Sequence, residues 1–346
     1  MGRSVTMRAV AERAGVSTKT VSNVVNGTGA FSPETERRVR AAVEELGYRL
    51  NPFARGLRSR RTDTVALAVP NLYQPFYAEL AEQVIRAQEI QGLKVVLEAT
   101  HGNAERERAV LTGARRELVD GVIYVPHTLA PEERANLSVA QPTVVLGERP
   151  DPAGDPGVDS GVDFLETANE EGAYAAVGHL LAQGRRRIAA IGERPDWQVG
   201  AQRLAGYRRA LADAGVPYDP SLVIGVDNVD MWASGVGAAT RLLRTRVRFD
   251  ALCCLNDVMA IGALSVLERS GIAVPGEVAL LGFDDIEAAR YASPPLTTVD
   301  PHTESLARAA VSLLRSRLEL DDFREMPSRR ETVGFTLRVR MSTSEA

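Results

Sequence analysis

The sequence predicts an α/β protein with a small all-helical head and a body of two doubly wound, Rossmann-like lobes. Three observations carry this. Residues 6–47 hold three short blocks of apolar residues at helical spacing, each opened by a capping residue and closed by a turn. From residue 64 onward, short apolar runs alternate with helical patterns, the signature of βα units and parallel sheets. The Pro-, Gly- and Asp-rich stretch 151–161 divides these units into two sets, too many together for one comfortable sheet. A chain of 346 residues is expected to form two or three domains.

The head begins with Met7, Val10, Ala11 and Ala14 at i, i+3, i+4, i+7, one apolar helix face. Gly15 can take positive φ and stop that helix, and Ser17 can cap the next. In the second helix Val21, Val24 and Val25 form the apolar side. Lys19, Ser22, Asn23 and Asn26 share the opposite side, with Thr18 beside them. A face of short hydrogen-bonding groups suits the major groove of DNA, whose donors and acceptors differ for every base pair. Two helices joined this tightly form either a helix-turn-helix or an ordinary αα-hairpin with a solvated polar face. Ser32, Pro33, Glu34 and Glu36 then start a third helix, with Val39, Val43 and Leu46 as its buried stripe.

Charge favours the DNA reading. Residues 1–61 carry 12 Lys and Arg against 5 Asp and Glu, whereas the rest carries 29 against 40. A basic head on an acidic body suits phosphate contact by the head alone. The segment NPFARGLRSRR follows. Phe53, Ala54 and Leu57 share one face of two or three helical turns, too few to be stable alone in water. It is either a conditional helix or a plain tether.

In the body, strands are expected at 65–69, 94–99, 121–125, 143–146, 187–191, 222–226, 251–255 and 278–281. Helices are expected at 76–91, 104–118, 170–183, 201–214, 232–244 and 258–270. Cys253 and Cys254 are adjacent and cannot bridge each other, and His101, His127, His179 and His302 have no metal-ligand spacing. No metal or cofactor is therefore expected. Gly235-Val236-Gly237 resembles part of a dinucleotide loop but lacks the third glycine, and no Ser/His/Asp or Cys/His set stands in a supporting context, so an enzyme is not expected. The N-terminus lacks a basic-then-apolar leader and no apolar run approaches bilayer length, which points to the cytoplasm and away from a membrane.

The motifs VAERAGVSTKTVSNVVNG, NPFARGLRSRRT, PFYAEL, VDGVIYV, RLAGYRRAL, LNDVMAIGAL, VALLGFDDIEAARYASPPLTTV and LRVRMSTS occur in an order and spacing that resemble the LacI/GalR family of bacterial transcriptional regulators over nearly the whole chain. The resemblance implies a helix-turn-helix head over 1–49, a hinge helix over 50–62, and a core over 63–346 similar to type I periplasmic binding proteins. It implies an N-lobe of about 63–162 plus 293–325 and a C-lobe of about 163–292 plus 326–340. It further implies a homodimer on a pseudo-palindromic DNA operator, repression, and control by a small effector between the lobes.

By the same resemblance, Thr18, Lys19 and Asn23 read bases, while Ser17, Thr20, Asn26 and Thr35 contact phosphate or position the helix. Leu57 wedges into the minor groove, with Phe53 and Ala54 in or near the hinge-to-hinge contact. Tyr73, Phe76, Trp197, Arg203, Trp232, Asn256 and Asp284 line the effector site. A sugar suits that set, since polar Arg, Asn and Asp groups can grip its edges and a flat aromatic its face. A nucleobase or other metabolite as co-repressor, or a cytoplasmic solute-binding protein without DNA function, are the alternatives. Three positions depart from the family pattern: Ala9, Ala168-Asn169 and Glu148-Arg149. The chain lacks the leucine-heptad tail of tetrameric relatives, so a dimer is expected.

Overall fold

The computed structural model describes residues 5–48, 61–90, 92–113, 118–130, 133–134, 137–147, 161–194, 197–226 and 231–344. The expected hinge with Phe53, Ala54 and Leu57 lies outside these residues, as do Glu148-Arg149 and the Asn26 side chain. The chain forms two compact units, Met1–Thr62 and Asp63–Ala346.

The first unit holds helices α1 (Met7–Ala14), α2 (Thr18–Asn26) and α3 (Pro33–Glu45). Thr6, Ser17 and Ser32 each cap a helix by accepting from the backbone N–H three residues on. Gly15 takes φ 64°, a conformation that an L side chain adopts only under strain, and lets α1 stop where α2 must begin. Val10, Ala11, Ala14, Val21, Val24, Val39 and Ala42 form the shared core, with Val25, Val43 and Leu46 packed at its margin.

In the second unit the strands are β1 (Thr64–Val69), β2 (Lys94–Ala99), β3 (Gly121–Tyr124), β4 (Thr143–Leu146), β5 (Val162–Thr167), β6 (Ile188–Glu193), β7 (Val223–Gly225), β8 (Ala251–Cys254), β9 (Ala279–Phe283), β10 (Thr297–Asp300), β11 (Arg330–Val333) and β12 (Thr336–Arg338). The helices are α4 (Pro75–Glu89), α5 (Ala104–Leu111), α6 (Asn169–Ala182), α7 (Gln198–Asp213), α8 (Met231–Thr245), α9 (Asp257–Arg269), α10 (Glu287–Tyr291) and α11 (Thr303–Leu318). One sheet runs β11-β5-β4-β3-β1-β2 and the other β12-β10-β9-β8-β6-β7. Among the described residues, every pairing is parallel except β10 with β12. These are the two expected lobes, with helices on the sheet faces. Among the described residues, no helix is long and apolar enough to cross a membrane.

Sheet membership corrects the expected lobe boundaries. Residues 163–167 of β5 belong to the first sheet, and β10 at 297–300 belongs to the second. The return strand β11 pairs with β5 in the first sheet, while β12, three residues later, joins the second. The chain thus passes between lobes after β5, after β10 and between β11 and β12. One further difference is local: helix α7 starts at Gln198, a turn before the expected 201, while α8 starts within a residue of the expected 232. Gly235 explains the small-residue face of α8: a Cβ there would lie 2.3 Å from the Met259 carbonyl of α9, so the two helix backbones touch.

Candidate functional sites

The head presents α2 with its valines inward and its N-terminus exposed. Thr18 and Lys19 are exposed, and Ser22 and Asn23 are half-buried at the edge of the core. Ser17 Oγ accepts from Thr20 N at 3.0 Å and lies 2.9 Å from Thr20 Oγ1. Ser32 Oγ accepts from Thr35 N at 3.2 Å and lies 2.9 Å from Thr35 Oγ1. Ser17, Thr20 and Thr35 therefore serve the helix starts within the head. Sequence reasoning missed Arg38, whose guanidinium donates to the carbonyls of Ala14 (2.5 Å) and Gly15 (3.2 Å) and ties α3 to the turn before α2.

In the second unit a cavity of about 480 Å³ opens between the lobes, within the range of small-molecule sites. Five of the seven expected effector residues line it: Phe76, Trp197, Arg203, Asn256 and Asp284. Tyr73 and Trp232 do not. Both side chains are exposed instead, Tyr73 ahead of α4 and Trp232 at the outer start of α8.

Arg203 organises the C-lobe side. It projects from α7 and is 5 % exposed. Its Nε donates to Asn169 Oδ1 at 3.0 Å, Nη1 to the Leu255 carbonyl at 2.6 Å, and Nη2 to Asp284 Oδ1 at 3.0 Å. Its carbon centre stacks 3.6 Å over the Phe283 ring, a cation–π contact in a dry setting. Burial pulls the guanidinium below its ordinary range and Asp284 opposes that. Burial pushes the Asp284 carboxyl up to about 6, although Arg203 pulls it down. Asn256 caps α9 by accepting from Met259 N at 2.8 Å and lines the cavity as well. Behind them Asp257 is fully buried, accepting from Thr298 Oγ1 at 2.6 Å and Ile286 N at 3.0 Å.

Trp197 is held by a neighbour that lacks a side chain. A Cβ on Gly200 would lie 2.3 Å from the indole Cε3, so the glycine leaves room for the ring to fold back on α7 at the cavity wall. Asn169, flagged above as a departure, proves to be a hub: it accepts from Arg203 and donates to Gln202 Oε1 at 2.8 Å. The adjacent Ala168 leaves α6 without a side-chain cap. Sequence reasoning also missed Gln74, Gln198 and Gln202 in the lining. Their one available signal was proximity to Phe76, Trp197 and Arg203.

The head and part of the body match known family models. Residues 6–51 match the bacterial regulatory proteins of the lacI family, and residues 177–343 a periplasmic binding protein-like domain. The chain is 38 % identical over 323 residues to the HTH-type transcriptional regulator CelR of Thermobifida fusca, covering 91 % of this chain and 92 % of that protein. It belongs to the LacI family of transcriptional regulators. Another member, the HTH-type transcriptional repressor PurR of Aliivibrio fischeri strain MJ11, is 33 % identical over 319 residues, 92 % of this chain and 93 % of its own. Among solved structures, this LacI-family regulator resembles a CelR–cellobiose complex, with TM-score 0.70 and 35 % identity over 98 % of this chain and 99 % of that one. It shares the fold of the lac repressor dimer bound to operator, with TM-score 0.83 at 24 % identity over 99 % of both chains. Both curated relatives carry the name of a regulator or repressor of transcription.

Proposed function

We propose that this regulator is a repressor that binds a pseudo-palindromic operator as a homodimer and is switched by an uncharged sugar in the interlobe cavity. In the proposal, Thr18, Lys19 and Asn23 read base edges from the major groove, while Ser17, Thr20, Asn26 and Thr35 fix α2 on the phosphates. Ala54 and Leu57 act at the operator centre through the minor groove. Phe76, Trp197, Arg203, Asn256 and Asp284 hold the effector.

The observation that carries the sugar reading is the cavity's chemistry. Its lining includes five carboxamides, Gln74, Asn169, Gln198, Gln202 and Asn256, each a donor and an acceptor at once. Sugar hydroxyls likewise donate and accept from one oxygen. Among the described residues, the lining cations Arg134 and Arg203 are matched by the anions Glu166 and Asp284, a balance that suits a neutral ligand over a phosphorylated one. Phe76 and Trp197 supply the flat apolar surface a pyranose face needs. The cellobiose held by the CelR relative is in keeping with this. The switch follows from linkage: a ligand shifts the lobe arrangement only by its difference in affinity for the two states.

The test is fluorescence anisotropy of the full-length protein on fragments upstream of its neighbouring genes. A panel of neutral sugars, cellobiose included, is run beside purine bases. Release by one neutral sugar is the expected result. Tightening by a purine base would establish the co-repressor alternative, and no preferred fragment under any condition would end the repressor reading.

A further inference from the structure

Between β3 and the residues that follow, the chain leaves the sheet and lays residues 125–130 along the cavity wall without regular structure. Backbone N–H groups in such a segment need partners when they turn away from water. Here they converge on one carboxylate, that of Glu107 in α5. Thr128 N donates to Glu107 Oε1 at 3.0 Å, and Leu129 N to Oε2 at 2.9 Å. His127 N points to Oε2 from 3.4 Å. Tyr124 Oη, from the end of β3, donates to the same Oε2 at 2.5 Å. Two outer ties complete the fold of the segment: Thr128 Oγ1 donates to the Gly102 carbonyl at 2.8 Å, and Arg134 Nη1 to the Leu129 carbonyl at 3.2 Å.

Glu107 is fully buried and does not itself line the cavity. A buried carboxylate persists only with several donors around it, and backbone N–H groups gathered in a concave turn supply them. The arrangement also depends on chemical type. A carboxylate is acceptor only, so it can serve every donor here, whereas a carboxamide would turn an NH₂ toward N–H groups.

We infer that Glu107 is a positioning residue for effector binding: its carboxylate fixes the backbone of residues 127–129 and so sets how tightly, and with what selectivity, the N-lobe wall meets a ligand it never touches. This rests on the reading of the interlobe cavity as the effector site. It assigns to the N-lobe a determinant separate from the Arg203–Asp284 pair.

The experiment uses the full-length protein and Glu107→Gln, with Tyr124→Phe as a milder lesion that removes a single donor. Hydrogen exchange is followed without ligand. Tryptophan fluorescence is titrated with cellobiose and a panel of neutral mono- and disaccharides, and ligand-free operator affinity is measured in parallel. In Glu107→Gln, protection of the 127–129 amides falls while that of residues 279–283 in the other lobe holds. The half-saturating sugar concentration rises roughly tenfold, as on losing one hydrogen bond to a charged group. Ligand-free operator affinity stays within about twofold, below the tenfold that one such bond is worth. Tyr124→Phe moves the same readouts less. Unchanged protection at 127–129, unchanged sugar affinity, or equal losses in both lobes and on DNA would overturn the inference. If the wild type answers to no sugar, the cavity reading falls while the exchange arm still decides the clamp. If Glu107→Gln does not fold, Tyr124→Phe decides.

Discussion

Replacing Asp284 by Asn tests whether the buried carboxylate is kept for binding rather than for stability. Asp284 is 8 % exposed and its carboxyl is raised from 3.8 to about 6 even with Arg203 beside it. A carboxyl raised from 3.8 to about 6 corresponds to about 3 kcal/mol. The sign follows from linkage. The folded state holds the proton more tightly than the unfolded chain, so the contribution to folding is complete below 3.8 and lost as the pH climbs through about 6. Asparagine is the uncharged isostere and does not titrate. The Asn variant should therefore match the wild type in urea denaturation near pH 4 and exceed it by up to about 3 kcal/mol near pH 7. Its sugar response should vanish, because an amide cannot balance the Arg203 charge or offer two anionic acceptors to ligand hydroxyls. Tryptophan fluorescence reports both quantities. A variant less stable than the wild type at neutral pH, or a gap that does not close toward acid, would refute the account. So would an intact sugar response.

Other substitutions probe the remaining parts. Arg203→Ala removes three hydrogen bonds and should abolish the effector response while ligand-free operator binding survives; a mutant that still responds at wild-type concentrations would remove Arg203 from the site. Lys19→Ala should relax sequence preference by about 1–3 kcal/mol at one base step per half-site, measured by competition between operator variants. An equal loss on every sequence would make Lys19 a phosphate contact. Gly200→Ala would place a methyl 2.3 Å from the Trp197 ring and push the indole off the wall. Sugar affinity and sugar-induced quenching should both drop with the secondary structure, by circular dichroism, intact.

How far the sequence could be read depended on whether the determinants were local. Ser17, Gly15 and Ser32 announce their helices because a cap acts within three residues, and each does so in the structure. Strand β5 escaped because its run VDFLET carries Asp163 and Glu166, which break the apolar pattern of a buried strand. Asp163 is tolerated there since Arg317, itself fully buried, and Arg329 both bind it at 2.6 Å. Those partners lie more than 150 residues away. Arg203, Asn256 and Asp284 could be found because the RLAGYRRAL, LNDVMAIGAL and GFDD segments name them. Nothing local distinguishes Glu107 from the other charged residues of α5, since its partners are backbone groups of a distant loop. Tyr73 and Trp232 differ from these: their residue type suited them to the cavity, but both side chains are exposed and neither is in its lining.

The threefold crossing of the chain between the sheets bears on how this regulator can be dissected. Neither lobe is an uninterrupted stretch, so no single truncation yields one of them whole. Residues 330–338 supply an outer strand to each sheet, and a stop codon just before them would strip both at once. Nonsense mutations far toward the 3′ end of the gene should thus behave as complete nulls. An isolated effector lobe would have to be spliced together from separate segments.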